Sequence, residues 1–104
     1  MKTLEELPIK IDCEKIAAFC CERGIRKMSL FGSVLRDDFN PHSSDVDVLV
    51  DFAPEALDGI GLAYFGWADD LAQIVGQKVD FCSRLHPRIE PRVRKEALTV
   101  FERA

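Results

Sequence analysis

Ile16, Phe19 and Cys20, followed by Arg23, fall at helical spacing within residues 13 to 23. Asp12 is placed to cap the start of that segment and Gly24 to stop it, so the pattern predicts a first helix. Residues 26 to 31 lead into Gly32-Ser33 and read as a short strand ending at a tight turn, with a helical turn expected just beyond. From Asp45 to Asp51 the chain alternates: Val46, Val48 and Val50 share one face of a predicted strand, and Asp45, Asp47 and Leu49 share the other. Leu62, Phe65, Ala68, Leu71, Ala72 and Val75 then predict an amphipathic helix from about Gly61 to Val75, ended by Gly76. Lys78 to Cys82 reads as a third strand. A final helix is expected to start near residue 90, with Pro91 in its first turn and Val93, Ala97, Val100 and Phe101 facing inward. There is no repeat and no low-complexity tract, so the whole reads as one alternation of helices and strands.

Composition narrows the classes. At 104 residues the sequence is expected to form one domain spanning 1–104 with a modest core. Its 47% hydrophobic and 31% charged content fits a soluble globular protein and excludes a disordered chain. No apolar run approaches the roughly 18 residues that a bilayer span needs. The opening MKTLEELPIK has no apolar stretch of the secretory kind, so a cytoplasmic location is expected and no membrane partner. Cys13, Cys20, Cys21 and Cys82 lack C-x-x-C spacing, and Cys20 and Cys21 should point to different sides of their helix; zinc and a disulfide framework are not expected. A net charge of −4 argues against direct nucleic-acid binding, which needs a broad basic surface, but leaves a nucleotide substrate open.

The chemistry concentrates on Asp45 and Asp47. Two carboxylates on one face of a strand stand roughly 6 to 7 Å apart at the backbone and can converge on one cation. Without one they repel, by about 4 kcal/mol at 4 Å and an effective dielectric near 20. Oxygen donors select a hard divalent ion, and few carboxylates completed by water and phosphate oxygens suit Mg²⁺. An isolated D-x-D is more often a solvated strand edge. Here, however, Gly32-Ser33 precedes it at the end of another predicted strand, where backbone N–H groups and a hydroxyl can cradle phosphate.

Gly32-Ser33, the intervening Arg36 and Ser44-Asp45-Val46-Asp47 together resemble the nucleotidyltransferase signature, a Gly-Ser followed by D-x-D. The spacer is one residue longer than its commonest form. The resemblance covers most of the chain: LAQIVGQKVDFCS, from Leu71 to Ser83, looks like the helix, glycine and third-aspartate strand of the minimal nucleotidyltransferase (MNT) family, within the DNA polymerase beta-like superfamily. The closing IEPRVRKEALTVFE is similar to that family's last helix.

This resemblance implies an α/β (α+β) nucleotidyltransferase fold, a small mixed sheet flanked by helices. It adds Asp80 as the third carboxylate, acting as or beside the base on the attacking hydroxyl. The three aspartates are then both catalytic and metal-binding, holding one or two Mg²⁺ ions, with ATP as donor. Gly32, Ser33, Arg36 and Ser44 become the nucleotide-binding residues, Ser33 and the turn backbone on the phosphates and Arg36 on the departing pyrophosphate. Minimal nucleotidyltransferases of this kind resemble the antitoxin of type VII HEPN/MNT toxin–antitoxin pairs, which transfers AMP from ATP to a tyrosine of the HEPN ribonuclease toxin. Such a transferase is the leading expectation, with the toxin as acceptor and partner; a toxin-binding antitoxin module with an idle nucleotide site is the alternative. A small-molecule transferase and a structural domain with an incidental acidic edge rank below both. Arg84, Arg88, Arg92, Arg94 and Lys95 form a basic cluster that reads first as solvated charge and second as a phosphate or partner surface. His42 and His86 read as loop and cap residues, and Tyr64, Phe65 and Trp67 as core or interface.

Overall fold

The computed structural model describes residues 6–9, 11–36, 39–40 and 42–103. Parts of two sequence readings lie outside them: most of the amino-terminal MKTLEELPIK, and Asp37, Asp38 and Pro41 of the charged segment before Asp45. Helix α1 (Cys13–Arg23) starts where expected, because the Asp12 carboxylate accepts the Lys15 backbone N–H at 3.1 Å, and stops at Gly24. Strand β1 (Ile25–Phe31) follows at once and runs into a 3₁₀ turn, Gly32–Leu35. Strand β2 (Val46–Phe52) pairs antiparallel with β1, and β3 (Val79–Cys82) pairs parallel with β2. The parallel pairing needs a crossover, which a 3₁₀ helix (Gly61–Gly66) and α2 (Trp67–Val75) supply.

Two readings need correction. The last helix, α3 (Glu90–Glu96), ends at Ala97, whose backbone is extended, and Leu98–Glu102 form strand β4. The expected inward positions Val100 and Phe101 therefore lie on a strand; the LTVFE segment is rich in β-favouring residues and completes the open side of β1 in a sheet of order β3-β2-β1-β4. The predicted helix from Gly61 also divides. Its first part is 3₁₀, where three residues make a turn, so the 3.6-residue stripe does not carry through. Leu62 and Phe65 consequently point outward, 84% and 74% exposed, while Trp67, Leu71 and Val75 of α2 are buried.

The sheet has two different faces. On one, Val46, Val48 and Val50 of β2 and Met28 and Leu30 of β1 pack under Ile16, Phe19 and Cys20 of α1 and the buried side of α2. Cys20 is buried there and Cys21 exposed, as their adjacency on a helix requires. Arg23 closes the α1–α2 seam: its guanidinium lies 4.0 Å over the Phe19 ring and bonds Asp70. On the other face α3 brings Arg94 beside Leu49, which is 2% exposed. Arg94 fixes the helix there, donating to both Asp51 carboxylate oxygens at 2.9 and 3.1 Å and to Glu90 at 2.9 Å. One member of the basic cluster is thus a strut. No helix of the described residues is long and apolar enough to cross a membrane.

Two outcomes follow for stability. Leu71→Ala, at a site 1% exposed, should cost about 2–5 kcal/mol in denaturant unfolding, since the cavity cannot collapse beneath a paired sheet. The Arg94 hydrogen bonds hold the Asp51 carboxyl below the usual carboxylate range, so the stabilisation is present above about pH 4 and is lost as pH falls through the lowered folded-state value. Because both side chains are partly exposed the pair should contribute about 0.5–1 kcal/mol. Melting curves of wild type and Asp51→Asn should therefore differ near neutrality and converge in acid.

Candidate active site

The acidic row is built by strand register. Because β2 and β3 run parallel with Asp47 opposite Asp80, the two backbones stand about 4.8 Å apart with side chains on the same face. Across the antiparallel β1–β2 pair, Phe31 faces Asp47. The order across this end of the sheet is therefore Phe31, Asp47, Asp80. Asp45 sits one residue ahead of β2, half-buried and near enough for its charge to act on Asp47. This face is the one turned away from the helix-packed core.

Gly32 closes the row from the other side. Its φ of 76° is a left-handed value that favours glycine, and a methyl group there would overlap Asp47 Oδ2 and stand 3.2 Å from Asp47 Cγ. The backbone of the Gly-Ser turn thus comes up against the central carboxylate with no side chain between. Ser33 is half-buried in the same 3₁₀ turn, and its carbonyl accepts the Arg36 N–H at 2.9 Å. Ser44 acts within its own loop: its hydroxyl accepts the Asn40 N–H at 3.2 Å and its N–H bonds the Asn40 carbonyl at 2.7 Å, which ties up the segment that delivers Asp45.

The electrostatics follow the geometry. Burial pushes the Asp47 carboxyl above its ordinary range, the carboxylates of Asp80 and Asp45 push it further, and Arg36 pulls it back. Asp47 is therefore the group at which the charges of Asp45, Asp80 and Arg36 meet. Cys82, on the same strand beyond Asp80, is raised to about 11 by burial and then by Asp80 and Asp47, which makes it an inert thiol.

Among the described residues no group of three or more His, Cys, Asp or Glu side chains is placed so that it could hold a metal ion by itself. The donor set nevertheless fits Mg²⁺, which is bound in phosphate-transfer sites by one or two carboxylates completed with water and substrate phosphates, not by an all-protein cage. Gly32 lets the turn backbone approach Asp47 where a Cβ would collide with its carboxylate.

Other sequence candidates are not drawn into the site. His42 sits in a turn with its N–H on Asn40 Oδ1, and His86 caps a turn by accepting the Arg88 N–H at 3.1 Å. Trp67 and Tyr64 belong to an aromatic cluster with Phe52 and Phe81. Sequence reasoning missed Phe31 and Ile89, which face a cavity between the Gly32 turn and α3; Arg92 and Lys95, also on its lining, belong to the basic cluster whose second reading was a phosphate or partner surface, and Val93 to the positions expected to face inward. The signal for Phe31 was its position immediately before Gly32-Ser33; nothing in the linear sequence pointed to Ile89.

The chain is similar in sequence and fold to known proteins. A family model described as a nucleotidyltransferase domain matches residues 13–101. A solved structure described as that of a minimal nucleotidyltransferase is 30% identical to this chain, covers 83% of it and 86% of its own length, and superposes with a TM-score of 0.64. Two toxin–antitoxin structures share the fold. One, with AMP-PNP, is 22% identical with a TM-score of 0.66; the other, a mutant of the MntA-HpeT pair, is 21% identical with a TM-score of 0.65, and each covers 89% of this chain and 75% of its own. No curated protein matches the sequence. With its family model, its fold and its similar minimal relative in accord, the chain belongs to the nucleotidyltransferase family, among the minimal nucleotidyltransferases.

Proposed function

We propose that this nucleotidyltransferase is the antitoxin of a toxin–antitoxin pair and transfers AMP from ATP to a tyrosine hydroxyl of its partner, a HEPN-type ribonuclease toxin. The observation that carries the reading is the single row in which Asp47 stands between Asp80 and the Gly32 backbone, with Asp45 beside it. Support for the partner comes from the two toxin–antitoxin structures, one of which holds AMP-PNP. In the other, two aspartates two positions apart have been replaced by glutamate, the same spacing as Asp45 and Asp47.

Asp45, Asp47 and Asp80 would hold Mg²⁺. When bound, Mg²⁺ supplies charge neutralisation on the phosphates and a lowered pKa for the incoming hydroxyl. Gly32 and Ser33 present backbone N–H groups and a hydroxyl to the β- and γ-phosphates, and Arg36, electrostatically linked to Asp47, offsets charge on the departing pyrophosphate. The acceptor oxygen forms its bond to the α-phosphorus as the bond to pyrophosphate breaks. Asp80 is exposed, at the outer strand of the sheet, so a hydroxyl on a large partner can reach it and give up its proton there. Cytoplasmic action beside the toxin completes the reading.

The test is labelled ATP and Mg²⁺ with the purified partner toxin. Wild type should label the toxin, and Asp45→Ala with Asp47→Ala should reduce labelling by about a thousandfold or more. Absence of labelling by wild type would sink the transferase reading, and if the double variant still silenced the toxin, binding alone would be its function. Gly32→Ala should lose about 1–2 kcal/mol of stability from its left-handed backbone and most of its transfer activity from the collision with Asp47; a fully active Gly32→Ala protein would show that the cradle is not used.

A further inference from the structure

The large apolar side chains that stand exposed among the described residues are not scattered. Three of the four, Leu57, Leu62 and Phe65, fall in one nine-residue stretch of the crossover between β2 and β3. The 3₁₀ segment Gly61–Gly66 completes a turn in three residues, so Leu62 and Phe65 stand one above the other as a ridge, 84% and 74% exposed. Beside the ridge, Leu57, Ile60, Tyr64 and Phe65 line a cavity of about 240 Å³. Single exposed apolar residues are ordinary, but a contiguous ridge and hollow mark a surface that another molecule covers.

Charge decides what covers it. From Phe52 to Gln77 the chain has four acids, Glu55, Asp58, Asp69 and Asp70, and no Lys or Arg. Asp70 is paired with Arg23; the other three are exposed and make no ion pair among the described residues. A second copy of the chain would set these acids against themselves, which opposes self-association through the ridge. A basic protein meets the opposite condition, and an RNA-cleaving enzyme needs such charge because its substrate is a polyanion.

Position ties the ridge to the acceptor side of the active site. Tyr64, between Leu62 and Phe65, shares a hydrogen bond with Ser83 Oγ at 3.1 Å, and its ring meets Phe81 edge-on with 6.0 Å between centroids. Ser83 is three positions beyond Asp80, roughly 10 Å along extended chain, and β3 is the outer strand of the sheet. A standard interface covers about 800 Å² per partner, a disc roughly 30 Å across, and so reaches from the ridge along this edge to Asp80.

We propose that the ridge of Leu62 and Phe65, with the acids on either side of it in the chain, is the docking surface for the protein that carries the acceptor hydroxyl, and that it engages an apolar patch flanked by basic side chains. The proposal rests on the reading of the acceptor as a partner protein and adds how that protein is held while its hydroxyl meets Asp80. Leu62 and Phe65 supply the buried centre of the contact, and Asp58 and Asp69 steer the approach.

Association and dissociation rates of the full chain with the purified partner toxin, measured without nucleotide at low and high salt, test it. Leu62→Ser with Phe65→Ser should speed dissociation about a hundredfold. Asp58→Lys with Asp69→Lys should instead slow association about tenfold at low salt and remove its decline with rising salt, with dissociation within about twofold of wild type. All four positions are exposed, so both double variants should keep the wild-type melting temperature and the wild-type affinity for a non-hydrolysable ATP analogue in Mg²⁺. Rates equal to wild type in the Leu62 and Phe65 variant, or a wild-type homodimer that this variant dissolves, would overturn the docking surface. Ridge-dependent binding with no label transferred by wild type would overturn the transferase reading alone and support the docking surface. Failure of wild type to bind the toxin would overturn both.

Discussion

Everything at the active end of this molecule depends on one crowded carboxylate. Asp47 lies between the Asp80 strand on one side and the Gly32 backbone on the other, partly buried and next to two like charges. Such an arrangement is unfavourable by itself, because burial and repulsion both oppose ionisation. It persists because a paired sheet enforces it: moving Asp47 would break the β1–β2 and β2–β3 ladders together. The repulsion is kept where a cation and an anionic substrate would relieve it, and the fold provides the rigidity that a preorganised site requires.

The same sheet divides its labour between faces. The valines of β2 bury one face under α1 and α2, and that packing holds the register. On the other face α3 is fixed by the Arg94 link to Asp51, with Arg94 beside Leu49. At the end of the same face stand the half-buried Asp45 and Asp47 and the exposed Asp80, and the cavity lined by α3 shares Gly32 with that row. β4 then seals β1, so that the strand carrying the Gly-Ser turn is an interior one with partners on both sides.

Much of this was legible in the chain. Helix α1 has an unambiguous period, a cap and a stop, and the Val–Asp alternation of β2 gave both its strand character and the face that Asp47 shares with Leu49. Asp80 was legible only through family resemblance, because its partnership with Asp47 arises from a parallel register that no local pattern encodes. β4 was hidden because Val93, Ala97, Val100 and Phe101 also satisfy helical spacing, and the competition was settled by pairing with a strand some seventy residues earlier. Leu62 and Phe65 were misplaced for a related reason, a 3₁₀ segment with the wrong rotation per residue. The α3 side of the cavity was legible only as a basic run containing Arg92 and Lys95, since it faces the turn only after the chain has crossed the sheet.

The central claim is that the acidic row is a seat for a cation that brings a triphosphate with it. It is tested most directly by the affinity of a non-hydrolysable ATP analogue, measured by calorimetry in Mg²⁺ and again in excess chelator. The structure predicts binding at least about tenfold tighter with Mg²⁺, a difference of about 1.4 kcal/mol, and loss of most of that difference in Asp47→Asn. Equal affinity in Mg²⁺ and in chelator would contradict it.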